Sequence, residues 1–147
     1  MTETVRYIDR TRAYYRALGY PSDYVWAHFD TVPLARLAKP LSQARLGLVT
    51  TASPLDLGNR DASGKRRVWS GPVSPAPAKL FTDNVAWDKE STHTDDRASF
   101  LPIEAVQELV EEGVVGALTA RFHGVPTEYS QRKTVEVDAP QVLARFA

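Results

Sequence analysis

A chain of 147 residues with no cysteine and with 18 basic side chains against 18 acidic ones is long enough for one packed domain without staples, and its composition excludes disulfide frameworks, thiolate metal sites and thiol nucleophiles within these residues. The balanced charge sets up no global field for nucleic acid or an anionic membrane, so the expected partners are small molecules or proteins. No apolar run approaches the roughly 20 residues of a membrane span, and Met1-Thr2-Glu3-Thr4 lacks the basic and apolar blocks of a signal peptide, which makes the cytoplasm the default compartment.

Residues 4–18 are predicted helical, with Thr4 as N-cap and Gly19 at the C′ position. Tyr7, Thr11, Tyr14 and Leu18, together with Ile8 and Tyr15, recur at helical spacing and predict an aromatic face packed against the body of the domain. Tyr24-Val25-Trp26-Ala27-His28-Phe29-Asp30 follows, and Pro33 and Pro40 bracket a short segment behind it. His28 beside Asp30 has the elements of a proton-transfer pair, although a lone His among aromatics more often serves packing.

Ala44-Arg45-Leu46-Gly47-Leu48-Val49-Thr50-Thr51-Ala52 is an apolar run that ends in hydroxyls. It predicts a central strand buried on both faces, since a half-exposed strand would alternate and a helix would avoid Gly47 and the Thr pair. In open α/β sheets ligands gather where such strands end, which makes Thr50, Thr51 and Ser53 candidate substrate-binding residues. The same hydroxyls would serve equally to satisfy a turn.

Residues 53–91 are rich in Pro, Gly, Asp and Ser and hold only short apolar pieces, Val68-Trp69 and Leu80-Phe81. This pattern predicts a long covering loop. Its Lys65-Arg66-Arg67 cluster could steer an anion, though such clusters are usually just solvated.

Ser91-Thr92-His93-Thr94-Asp95-Asp96-Arg97 is the densest set of chemically capable side chains, and a His near carboxylates can have its tautomer fixed and its pKa raised. His93 and Asp95 are therefore candidate catalytic residues, with an ordinary polar turn capping the next helix as the alternative. Metal ligation by His93 with Asp95 or Asp96 lacks a ligand-spaced partner, so no metal and no cofactor is assigned.

Pro102 at N1, the apolar positions Ile103, Val106, Leu109 and Val110, and Gly113 as terminator define a helix whose Glu104, Glu108, Glu111 and Glu112 are expected to be solvated. Val114 to Leu118 continues apolar, and Arg121-Phe122-His123-Gly124 adds a second basic, imidazole-bearing segment. Residues 133–137 alternate as an edge-like strand would, and Asp138-Ala139-Pro140 looks like the start of a helix with Asp138 at its N-cap. The expected fold class is α/β, a small open, mostly parallel sheet flanked by helices in one domain spanning residues 1–147.

Three tracts taken together resemble the glycine/sarcosine/betaine and D-proline reductase selenoprotein B family. They are Lys39-Pro40-Leu41-Ser42-Gln43 running on into the 44–52 tract, the turn Ser91-Thr92-His93-Thr94-Asp95-Asp96, and Phe100-Leu101-Pro102-Ile103-Glu104 running on through Leu118. Arg10-Thr11-Arg12-Ala13-Tyr14-Tyr15-Arg16, Tyr24-Val25-Trp26-Ala27-His28 and Arg121-Phe122-His123-Gly124 add to the likeness. The resemblance implies an α/β fold and a selenocysteine or cysteine that reductively cleaves a C–N bond of a small amino-acid-like substrate. His123 is a further candidate catalytic residue beside His93 and Asp95, and Arg121 a further candidate substrate-binding residue beside Thr50, Thr51 and Ser53.

The chain departs from that pattern in two places. In the family the reactive selenium or sulfur follows the helix that starts near Asp138, whereas here no cysteine occurs up to Ala147. The usual His-x-Tyr-Asp turn is replaced by His93-Thr94-Asp95-Asp96. The expected function is a thiol-lacking component of a glycine/betaine/D-proline reductase-like system whose nucleophile comes from a partner chain. The alternatives are a non-catalytic binding or assembly protein that kept the fold, and a thiol-independent enzyme using His/Asp acid–base chemistry. The thin sheet and the apolar Val142, Leu143 and Phe146 near the end predict a homodimer, or a heteromer with a Sec/Cys-bearing subunit.

Overall fold

The computed structural model describes residues 6–23, 30–31, 35–83, 90, 93–126 and 131–146. Contacts divide the chain into two units, Met1–Leu34 and Ala35–Ala147. Thr4, His28 and Pro33, on which three of the expectations fall, lie outside the described residues.

The first unit holds helix α1, Tyr7–Ala17. Gly19 adopts φ +85° just past its end, the left-handed geometry that a C′ glycine supplies without steric cost. The aromatic residues do not form a buried face, since no residue of α1 is buried. Tyr15 instead meets Tyr14 and Tyr20 edge-on at 5.6 and 5.5 Å, and Arg16 grips both carboxylate oxygens of Asp23.

The second unit is α/β. Strands β1 (Arg45–Leu46) and β2 (Val49–Thr50) run parallel to β4 (Ala117–Leu118) and β5 (Arg121–Gly124) respectively, and β3 (Trp69–Pro72) lies antiparallel on the far side of β5. The expected continuous central strand is thus two short pieces, and it is not buried on both faces, since Val49 is 48% exposed. The register explains the break. Arg45 and Leu46 pair with Ala117 and Leu118, but Val49 and Thr50 pair with His123 and Gly124, so two extra residues on the partner side interrupt the ladder at Gly47-Leu48.

The 53–91 segment has no described element longer than four residues, yet it is built into the unit. It contributes β3, the bridge Ser53↔Phe81, and the buried side chains Val68, Val73 and Leu80. Arg60 and Arg66 form a further bridge, and Arg67 lies 3.6 Å from Asp61.

Helix α2, Ile103–Glu111, begins after Pro102 and ends at Gly113 with φ +74°, as its sequence signals require. Ile103 and Val106 are buried. Glu104 is not merely solvated, because it pairs with the buried Arg97, whose guanidinium also donates to the Leu101 carbonyl. That pairing holds the Glu104 carboxyl below the usual carboxylate range.

Residues 133–137 are helical, not a strand. Helices α3 (Gln131–Lys133) and α4 (Ala139–Phe146) are joined by a π-turn over Thr134–Asp138. Pro140 lacks an N–H, and its ring would crowd the carbonyl four residues back, so a widened turn at that point is the expected accommodation. Asp138 is therefore no N-cap. It is buried inside the helical run, with the Lys133 Nζ donating to its carboxylate at 2.9 Å.

The core gathers Ala52, Val73, Leu80, Leu101, Ile103 and Phe122, with Trp69 and Phe100 packed against it. Glycines permit the close approaches. A Cβ on Gly71 would lie 2.4 Å from the Phe122 ring, and one on Gly124 would lie 1.7 Å from the Trp69 Nε1, which donates to the Ala52 carbonyl at 3.0 Å. We therefore expect Gly124→Ala to destabilise the protein by about 2 kcal/mol or more, through overpacking and loss of that hydrogen bond. Chemical denaturation monitored by tryptophan fluorescence reads this directly.

Candidate functional site

The site grows out of the alternation along β5. Successive side chains of a strand face opposite ways, so Phe122, fully buried in the core, turns Arg121 and His123 to the other face of the sheet. Register puts Ser70 of β3 and Val49 of β2 level with His123 on that face, and puts Thr50 level with Gly124 on the core-facing side.

Ser70 is the hub of a hydrogen-bond cluster. Its Oγ lies 2.7 Å from the His123 Nδ1 and accepts from the Arg145 Nη1 at 2.9 Å, while its carbonyl accepts from the Arg121 Nη2 at 2.7 Å. Arg145 also donates to the Val68 carbonyl at 3.3 Å. A guanidinium can only donate, so the hydroxyl accepts from Arg145, and its proton and second lone pair suit either tautomer of His123 at Nδ1.

Phe146 closes one side. Its ring meets the His123 ring edge-on at 4.5 Å, and it occupies the space that a side chain on Gly47 would need, since a Cβ there would stand 2.2 Å from the ring. Phe146 and the buried Val142 are thus used within the unit, whereas Leu143 is exposed. His123 is only 4% exposed. Burial first, and then the charges of Arg145 and Arg121, hold its pKa below the ordinary histidine value.

Beside this imidazole opens a cavity of about 420 Å³, walled by Arg45, Arg121, Arg145, His123 and Phe146 with Leu118, Thr119 and Ala120. No Asp or Glu among the described residues lines it. Such a hollow is chemically suited to a small anion, with guanidinium forks for its oxygens.

The residues singled out by sequence fall in several places. Arg121 and His123 come together at the cavity. Thr50 is buried and its Oγ1 accepts from the Ala52 N–H at 3.2 Å, Thr51 is exposed, and the buried Ser53 accepts from Asn59 at 3.4 Å. His93 and Asp95 are exposed on the turn before a 3₁₀ segment at Arg97–Ser99, which Asp96 caps by accepting from the Ala98 N–H. No hydrogen bond or ion pair joins His93 or Asp95 to Thr50, Ser53 or His123 among the described residues. Those residues also bring together no group of three or more His, Asp or Glu that could hold a metal ion, and none of their helices is long and apolar enough to cross a membrane.

Arg45, Ser70, Arg145 and Phe146 were not singled out as site residues in the sequence. The lone charge of Arg45 within an apolar run was the one local signal. Ser70 and Arg145 meet across 75 residues, and no spacing rule links them.

An α/β unit with a cationic, imidazole-floored cavity is the class of protein that fold and site define. The chain is 32% identical over 107 residues to the glycine reductase complex component B subunit gamma of Symbiobacterium thermophilum, an alignment covering 67% of this chain and 24% of that protein. It is thus a distant relative of the selenoprotein B family, and it spans about a quarter of the length of the curated relative it matches. No family model matches the chain, and no solved structure does.

The depressed pKa of His123 predicts a pH-dependent stability. The unfolded chain takes up a proton near the ordinary value of 6.5, whereas the folded chain takes it up only at lower pH. Stability contributed here is complete above the unfolded pKa and is lost as the pH falls toward the folded one. Denaturation at a series of pH values between 7 and 5 should show that loss, and His123→Gln should reduce it.

Proposed function

We propose that the chain is a component of a glycine reductase-like system that binds a small amino-acid-like substrate for reductive C–N cleavage. These 147 residues contain no cysteine, so the Sec or Cys nucleophile comes from outside them, and this reading assigns it to a partner chain. The observation that carries this reading is the joint presence of Arg121 and His123 at one cavity in a chain related to a glycine reductase component.

In this reading Arg121 pairs with the substrate carboxylate beside the His123 ring. Ser70 and Arg145 keep the imidazole neutral and oriented. His93 and Asp95, exposed on their turn, are available to a reacting centre brought by the partner. Thr50 and Ser53 support the end of β2 rather than touching the ligand, while Thr51 is open to it. A multi-subunit assembly follows from the need for the second chain.

Binding and turnover test this reading separately. The isolated chain should bind glycine, betaine or proline in calorimetric titration, and Arg121→Ala should weaken that binding about tenfold, the worth of one charge-assisted hydrogen bond. It should show no dithiol-dependent reductive cleavage alone. Turnover by the isolated chain, or substrate binding indifferent to Arg121→Ala, would contradict the proposal.

A further inference from the structure

The cavity beside His123 carries more positive charge than a single carboxylate answers. Arg45 of β1, Arg121 of β5 and Arg145 of α4 reach it from three separate segments, and no Asp or Glu among the described residues lines it. None of the three has an ion-pair partner among the described residues. Arg121 and Arg145 donate only to neutral acceptors, the Ser70 and Val68 carbonyls and the Ser70 hydroxyl, and each guanidinium has five N–H groups to give. Arg45 makes no hydrogen bond to another described residue.

Size and shape point the same way as charge. A volume of about 420 Å³ lies within the range of complete small-molecule sites and exceeds what one carboxylate group fills. The Phe146 ring and Leu118 on the walls lower the local polarity, which strengthens any ion pair formed there. A monoanion would leave two guanidinium groups unanswered. A tetrahedral dianion offers oxygens to all three forks.

We infer that this cavity is a site for a dianionic oxyanion of the phosphate class, inorganic phosphate or a small phosphomonoester, held by Arg45, Arg121 and Arg145. The inference rests on taking this cavity as the ligand site of the proposed function, and it adds a second charge to the ligand, or a second ligand beside the substrate.

Calorimetry and NMR on the full chain test it at constant ionic strength, with inorganic phosphate, methyl phosphate, acetate and glycine as probes. Phosphate should bind saturably, at least about tenfold tighter than acetate, and should shift the His123 ring signals. Arg45→Ala and Arg145→Ala should each weaken it about tenfold, whereas Lys79→Ala, an exposed charge outside the cavity, should not. Arg45 is exposed, so its variant keeps the test sound even if Arg145→Ala perturbs folding. Tighter binding of methyl phosphate identifies a phosphomonoester ligand, and equal binding identifies the free ion. Phosphate binding no tighter than acetate, or unchanged by Arg45→Ala, overturns the inference. Glycine binding that depends on Arg121 without any phosphate preference overturns the dianion alone and leaves the substrate reading standing. Phosphate preference without glycine binding overturns the substrate reading and upholds the dianion site.

Discussion

The fully buried Phe122 ring fills the space that a side chain on Gly71 would need, and most of the second unit is arranged around that contact. It draws β3 against β5, places Trp69 edge-on to Phe122 at 5.3 Å, and brings the Trp69 Nε1 to the Ala52 carbonyl just past β2. Because strand side chains alternate, committing Phe122 to the core commits Arg121 and His123 to the other face. The site is thus a geometric consequence of core packing. Its second cover, the last turn of α4, depends on another missing side chain, since the Phe146 ring occupies the space above Gly47.

Electrostatics then decide what that face can do. A buried imidazole flanked by arginines is poorly placed to hold a second proton. The result is a neutral ring among uncompensated cations. Opposite conditions hold at Arg97, where a buried guanidinium meets Glu104 and the Leu101 carbonyl, a closed pairing that ties the start of α2 to the segment before it. The arginines at the first cluster meet only neutral acceptors, whereas the Arg97 guanidinium is paired with a carboxylate, although its Nε is buried without a partner.

Parts of this were legible in the sequence for clear reasons. Helix α2 combines a 3.6-residue apolar period with Pro102 at its start and Gly113 at its end, and local signals of both kinds agree. The parallel α/β character followed from the 44–52 tract, although its division at Gly47-Leu48 depends on two extra residues in the partner segment between β4 and β5. Residues 133–137 misled because Thr134, Val135 and Val137 favour strands by local preference, while the helical run around them and the buried Asp138–Lys133 pair decide otherwise. Arg121 and His123 stood close together in one basic, imidazole-bearing segment, and the structure brings both to one cavity. Arg45, Ser70 and Arg145 were not legible, since they come from separate segments and meet only after the sheet and α4 are in place.

β5 presents a buried, neutral imidazole, hydrogen-bonded to Ser70, at the floor of a cationic cavity. Nitrogen NMR of the His123 ring at pH 7 reads that state. The expected result is a neutral ring whose Nδ1 signal changes in Ser70→Ala. An imidazolium at that pH, or ring signals unchanged in Ser70→Ala, would overturn it.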